Sequence, residues 1–331
     1  MKNKFKKPAL FLLGVIILFV VLALGYITAV LPQVGEPELL TIQYTPEKVE
    51  RGRYLANHVA VCIDCHSERD WSVFSGPLVP HTEGQGGEIF DQSMGFPGKF
   101  VARNITPYKL KNWTDGEILR AITTGVSKDG TALFSIMPHH NYGQMDREDL
   151  SSIIAYIRTL KPIERENETS KPDFPMNLIL NTIPRKANFT TKPAKEDVVN
   201  YGKYLVTTAS CYDCHTKQVK GKFIGEPFAG GFEFLFPDGS ILQSANITPH
   251  ETGIGNWRSE DFISRFKTYS DSLYVPQKLQ RGEFQTPMPW TFYAQMEDED
   301  LAAIYAYLRT LKPVDQVVNL YEPADPLKDQ K

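Results

Sequence analysis

Cysteine is scarce in this chain, four residues in 331. All four fall in two copies of one pattern, Cys62-Ile-Asp-Cys65-His66 and Cys211-Tyr-Asp-Cys214-His215, so none is left over for another role. A basic excess is also missing: 36 lysines and arginines stand against 39 acidic residues. Setting aside four lysines at the extreme N-terminus leaves 32 against 39, a net charge of −7. That balance argues against nucleic acid as a partner.

Three chemistries use a Cys-x-x-Cys pair. A redox disulfide has no use for a histidine behind the second cysteine in both copies. A zinc site could draw four thiolates from the two pairs. It would leave both histidines unexplained and bring together segments 149 residues apart. Covalent c-type haem accounts for every residue: two thioethers to the porphyrin and a histidine beneath the iron. Two covalently bound c-type haems are expected, on Cys62, Cys65 and His66 and on Cys211, Cys214 and His215.

Lys2, Lys4, Lys6 and Lys7 precede 24 uncharged residues, Pro8 to Leu31, enough to cross a bilayer as a helix. The lysines place the N-terminus in the cytoplasm and the rest on the periplasmic, extracytoplasmic side of the cytoplasmic membrane. A cleaved signal peptide is the competing reading, with Ala23-Leu24-Gly25 as a weak cleavage site. The apolar run continues past that point, so an uncleaved single-pass anchor is expected.

The remainder is a repeat. Arg51-Gly-Arg-Tyr-Leu55 returns as Tyr201-Gly-Lys-Tyr-Leu205, Asn104-Ile-Thr-Pro107 as Asn246-Ile-Thr-Pro249, and Lys111-Asn-Trp113 as Gly255-Asn-Trp257. Met137-Pro138 returns as Met288-Pro289, and Ala155-Tyr-Ile-Arg-Thr-Leu-Lys-Pro162 as Ala306-Tyr-Leu-Arg-Thr-Leu-Lys-Pro313. The division reads: anchor 1–31, tether 32–50, domain 51–162, linker 163–199, domain 200–315, tail 316–331. Leu150, Ile153, Ile154, Ile157 and Leu160 lie at helical spacing, as do Leu301, Ile304, Tyr305, Leu308 and Leu311. Asp146 can cap the first of these closing helices. Further helices are predicted before each haem motif and after each Trp113-type tryptophan. Phe232, Phe234 and Phe236 ahead of Pro237-Asp-Gly-Ser240 read as a small hairpin.

The sixth iron ligand separates a carrier from an enzyme. A strong ligand closes the site, whereas an open position permits small-molecule chemistry. The repeat offers Met137 with Met288, or Met145 with Met296. Met145 and Met296 fit a hydrophobic staple with Leu150 and Leu301 on a capped helix. Met137 and Met288 stand before prolines in loops and are the expected axial ligands. His139 and His140 are rivals in the first domain without counterparts in the second. Asn104, Thr106, Asn246 and Thr248 could hold a propionate or fix their own loop. Trp113 and Trp257 could contact haem or fill core.

The run Arg-Gly-x-Tyr-Leu, Cys-x-x-Cys-His, Asn-Ile-Thr-Pro, Trp, Gly125-Val-x-x-Asp-Gly130, Met137-Pro, Tyr142, Asp149-Leu150 and Tyr-x-Arg-Thr-Leu resembles the cytochrome c subunit of membrane-bound alcohol, aldehyde and gluconate dehydrogenases. The resemblance covers Arg51 to Pro313. It implies cytochrome c-like helical domains, with His66 and Met137, and His215 and Met288, on the iron. Such subunits usually carry three haems, and this chain has two motifs. The expected fold is all-α: two tandem cytochrome c-like domains after a single N-terminal transmembrane helix.

The function this predicts is a membrane-anchored dihaem electron carrier, with no catalytic residue of its own. It would pass single electrons from an exported dehydrogenase or quinol-oxidising complex to a terminal oxidase or soluble cytochrome. The alternative is a dihaem enzyme of peroxidase or thiosulfate-oxidising type with one open site. A haem sensor is disfavoured for want of a signalling domain.

Overall fold

The computed structural model describes residues 6–324. Lys2 and Lys4 of the basic end and residues 325–331 of the tail lie outside the described residues. The helix Lys6–Ala29 opens the structure. Its segment Pro8–Ala29 is long and apolar enough to cross a membrane and has almost no cover from the rest of the chain, Asn181 touching it at the Ile27 carbonyl. At 1.5 Å per residue its 22 residues span roughly 33 Å, about the thickness of a hydrocarbon core.

Each repeat is built on a pair of packed helices. Pro46–Tyr54 lies against Arg147–Thr159, and Val198–Thr208 lies against Asp298–Leu308. The leading helix of the first pair starts where it should. The Thr45 side chain accepts the Lys48 amide at 3.2 Å, and Pro46 occupies a position that needs no donor. Asp146 caps the closing helix by accepting from the Glu148 amide at 2.8 Å. One glycine in each leading helix sets how closely the helices approach. A Cβ on Gly52 would stand 1.8 Å from the Ser152 carbonyl oxygen, and one on Gly202 1.9 Å from that of Ala303. Only a residue without a side chain fits there.

A third helix packs against the closing helix of each pair, Asp115–Thr124 in the first repeat and Ser259–Lys267 in the second. The first carries a capping box between Thr114 and Glu117 and stops at Gly125, which is left-handed. Leu55, Leu150, Ile153 and Ile154 of the first repeat join Leu205, Leu301, Ile304 and Leu308 of the second in one continuous buried cluster. Each such side chain contributes about 1.5–3 kcal/mol by leaving water, and neither repeat closes its core alone.

The expected all-α fold does not hold. Helix takes 38% and strand 9% of the chain, and the described residues contain three small antiparallel sheets. Ile89–Phe90 pairs with Gly98–Val101, which pairs with Lys171–Pro172. The second repeat mirrors this arrangement: Glu233–Leu235 pairs with Ile241–Gln243, which pairs with Tyr321–Glu322. The hairpin expected around Pro237 is the first pair of that sheet. Gln218–Val219 and Lys222–Phe223 form the third sheet. Strands of two to four residues are too short to show an alternating pattern. One outer strand of each three-stranded sheet, Lys171–Pro172 or Tyr321–Glu322, moreover comes from a segment that reads as linker or tail.

Candidate haem sites

The residue before each Cys-x-x-Cys pair is left-handed without being glycine: Val61 at φ +45° and Ser210 at φ +56°. This conformation is costly for a β-branched side chain. Its recurrence at equivalent positions marks a site where the chain must turn sharply. The turn opens the short helices Cys62–Cys65 and Cys211–His215. Within each, the two thiols lie three residues apart and therefore face the same way.

The histidines are held identically. Nδ1 of His66 lies 2.7 Å from the Arg103 carbonyl oxygen, and Nδ1 of His215 lies 2.8 Å from that of Ala245. A carbonyl only accepts, so each Nδ1 carries the proton and donates it, and each Nε2 keeps its lone pair. Burial lowers both imidazole pKa values, with the carbonyl contact opposing. Both rings are therefore neutral at pH 7, as an iron ligand requires. Burial pushes the thiols of Cys62 and Cys211 up to about 12 and raises Cys65 as well, whereas Cys214 is exposed. Among the described residues the two cysteine pairs do not meet in a common metal-binding group, contrary to what a shared zinc site would need.

Arg103 and Ala245 each precede an Asn-Ile-Thr-Pro loop, which explains that motif. Asn104 donates to the carbonyls of Ile163 and Arg165 and accepts from the amide and hydroxyl of Thr106. Asn246 and Thr248 repeat the pattern, with Val314 and Gln316 as carbonyl partners. These side chains fix the loop that holds the histidine. The half-buried Trp113 and Trp257 pack against the core.

Met145 and Met296 are sealed in the core at 1% exposure each. Met137 and Met288 sit half-buried at its edge, packed against the same cluster as Cys62 and Cys211. The short helices His139–Tyr142 and Trp290–Tyr293 follow them. Tyr142 donates to the Ala60 carbonyl at 2.7 Å, and Tyr293 to that of Ala209 at 2.9 Å. Each methionine loop is thus tied to the backbone just before its own haem motif. His140 is exposed and turned to Asp213. His139 is buried against Gly125, and among the described residues its Nε2 has no hydrogen-bond partner.

Sequence reading missed the contacts between repeats. Tyr54 donates to Asp300 and Tyr204 to Asp149. Nδ1 of His58 lies 3.2 Å from the Phe292 carbonyl oxygen. The one available signal was that Tyr54 and Tyr204, and Asp149 and Asp300, occupy equivalent repeat positions.

In each repeat, two thiols one turn apart and a neutral histidine with a free Nε2 fit the donor set that covalent attachment of a haem requires. By fold and site the chain resembles a cytochrome of the c type. Residues 199–312, the second repeat, match the family model described as Cytochrome c.

Its relatives include cytochrome subunits of dehydrogenases. It is 36% identical over 299 residues to the gluconate 2-dehydrogenase cytochrome c subunit of Pantoea cypripedii, covering 84% of this chain and 62% of the relative. It is 26% identical over 285 residues to the alcohol dehydrogenase (quinone) cytochrome c subunit of Gluconacetobacter polyoxogenes, covering 80% and 56%. A diheme cytochrome c-type protein of Cereibacter sphaeroides is 26% identical over 266 residues, covering 77% and 83%. The chain spans about half the length of several curated relatives it matches.

Proposed function

We propose that the chain is a dihaem cytochrome c held in the cytoplasmic membrane by its N-terminal helix, with residues 51–162 and 200–315 as its two haem-binding units on the extracytoplasmic side. It takes single electrons from an exported dehydrogenase or quinol-oxidising complex and delivers them to a terminal oxidase or soluble cytochrome. One observation carries this reading. Both Cys-x-x-Cys-His motifs present a neutral histidine whose Nδ1 is held by a backbone carbonyl, at 2.7 and 2.8 Å.

When bound, haem supplies reversible one-electron chemistry at iron. The chain does the rest. Cys62 and Cys65, and Cys211 and Cys214, attach the porphyrin. His66 and His215 would offer Nε2 to the iron, their Nδ1 being held by backbone carbonyls. Met137 and Met288, in loops tied back by Tyr142 and Tyr293, would supply thioether ligands and exclude exogenous ones. A thioether there raises the reduction potential. No proton transfer by a side chain is required.

The test is haem count by intact mass together with carbon monoxide binding by the reduced, detergent-purified protein. Two haems with no spectral change under carbon monoxide support the reading. A single haem sinks the dihaem part. Ready carbon monoxide binding points to a labile site and the enzyme alternative. Removing residues 1–31 is expected to release a soluble protein, and continued membrane association would overturn the anchor.

A further inference from the structure

Each methionine loop is also gripped from the opposite repeat. His140 and Asn141 directly follow Met137-Pro138. Asn141 Nδ2 donates to Asp213 Oδ2 at 2.9 Å, and His140 Nε2 lies 3.2 Å from Asp213 Oδ1. Asp213 stands between Cys211 and Cys214, inside the second haem motif.

Asp64 holds the same place in the first motif, and it too reaches the other repeat's methionine, through a relay. Its carboxylate pairs with Arg69 at 3.0 Å, both side chains being almost fully buried. Arg69 donates to the carbonyls of Ser75 at 2.7 Å and Gly76 at 2.8 Å. Ser75 is completely buried and left-handed at φ +64°. Its hydroxyl donates to the Met288 carbonyl at 2.6 Å and accepts the Trp290 amide at 3.2 Å. Gln285 completes the seam. It accepts the Ser75 amide at 2.7 Å and donates to the carbonyls of Trp71 and Val73.

We propose that the aspartate inside each Cys-x-Asp-Cys motif is a positioning residue for the opposite repeat's methionine, Asp213 directly and Asp64 through Arg69 and Ser75. The axial ligand at one haem site is therefore set by the haem-binding motif of the other, and the two sites are coupled. The inference rests on His/Met ligation at both sites. Its physical basis is that charge-assisted and buried hydrogen bonds fix a loop whose thioether has no other covalent restraint. Removing such supporting bonds typically weakens ligation about 10–100-fold.

The experiment uses the full-length reduced protein. Met137→Ala and Met288→Ala first assign the ring-current-shifted methyl signal of each bound methionine and the carbon monoxide spectrum of each opened site. Asp213→Ala is then expected to disturb the Met137 signal and raise carbon monoxide affinity at the first haem roughly tenfold or more, leaving the Met288 signal in place. Ser75→Ala is expected to do the converse.

The inference is overturned if Asp213→Ala disturbs only the Met288 signal of its own repeat, or behaves as wild type. If Asp213→Ala does not assemble with both haems, a His140→Ala/Asn141→Ala double variant removes the same bonds from the other side. Wild-type behaviour of that variant also overturns it. If Met137→Ala and Met288→Ala themselves change nothing, then His/Met ligation has failed, and the inference falls with it.

Discussion

The Tyr54 hydroxyl donates to the Asp300 carboxylate at 2.7 Å, from the leading helix of the first repeat into the closing helix of the second. The reverse contact exists at the equivalent position, Tyr204 to Asp149 at 2.8 Å. The two contacts form a reciprocal clasp with approximate two-fold character. Each tyrosine also accepts a backbone amide at the start of the opposite closing helix, Glu297 for Tyr54 and Asp146 for Tyr204. Burial and the facing aspartate raise both phenol pKa values, so both hydroxyls remain donors.

Tyr54→Phe leaves part of the buried Asp300 carboxylate unpaired and is expected to cost about 1–2 kcal/mol. Tyr204→Phe is expected to match it through Asp149. Denaturant titration of the full chain would read both. Two separate unfolding transitions in the wild type, one per repeat, would contradict the shared core.

Asp149 also pairs with Arg51 at 2.9 Å and Lys192 at 2.9 Å. Burial alone would raise its pKa, but these partners hold it below the usual aspartate range. A depressed folded value stabilises above the unfolded value of about 3.9, and that stability is lost as pH falls through the folded value. Asp149→Asn is therefore expected to cost about 3 kcal/mol near neutrality. The gap from wild type should narrow below about pH 3. A gap independent of pH would mean that the charge is not what stabilises.

Gly52→Ala places a methyl group where the Ser152 carbonyl oxygen already stands. The backbone must move, so the expected loss is about 3 kcal/mol or more. Gly202→Ala should behave alike against Ala303. Thermal unfolding of each variant would check this, and a loss under about 0.5 kcal/mol would show that the helix pair is looser than described.

The methionines should separate cleanly. Met145→Ala opens a cavity in a core where the side chain is 1% exposed, and is expected to cost about 2–5 kcal/mol without carbon monoxide binding. Met137→Ala is expected to do the opposite, admitting carbon monoxide with a smaller loss of stability. Exchanged outcomes would reassign the axial ligand.

Local spacing alone made much of this legible. The cysteines, the following histidines, the repeat and the amphipathic closing helices all reside in stretches of a few residues, where covalent geometry and helical periodicity act directly. The contrast between Met145 and Met137 was also readable, because Asp146 and Leu150 beside Met145 explain its burial through an ordinary helix start.

Tertiary structure decided what depends on distant segments. The short strands Lys171–Pro172 and Tyr321–Glu322 exist only because a partner strand lies beside them, and two residues carry no period. Asn104 and Asn246 are saturated by carbonyls from the segment after each closing helix, which no local pattern announces. Ser75 and Asp213 gained their roles the same way. A hydrogen bond between residues more than 70 positions apart, such as Asn141 to Asp213, is set by how two helix pairs pack, and packing belongs to the folded chain as a whole.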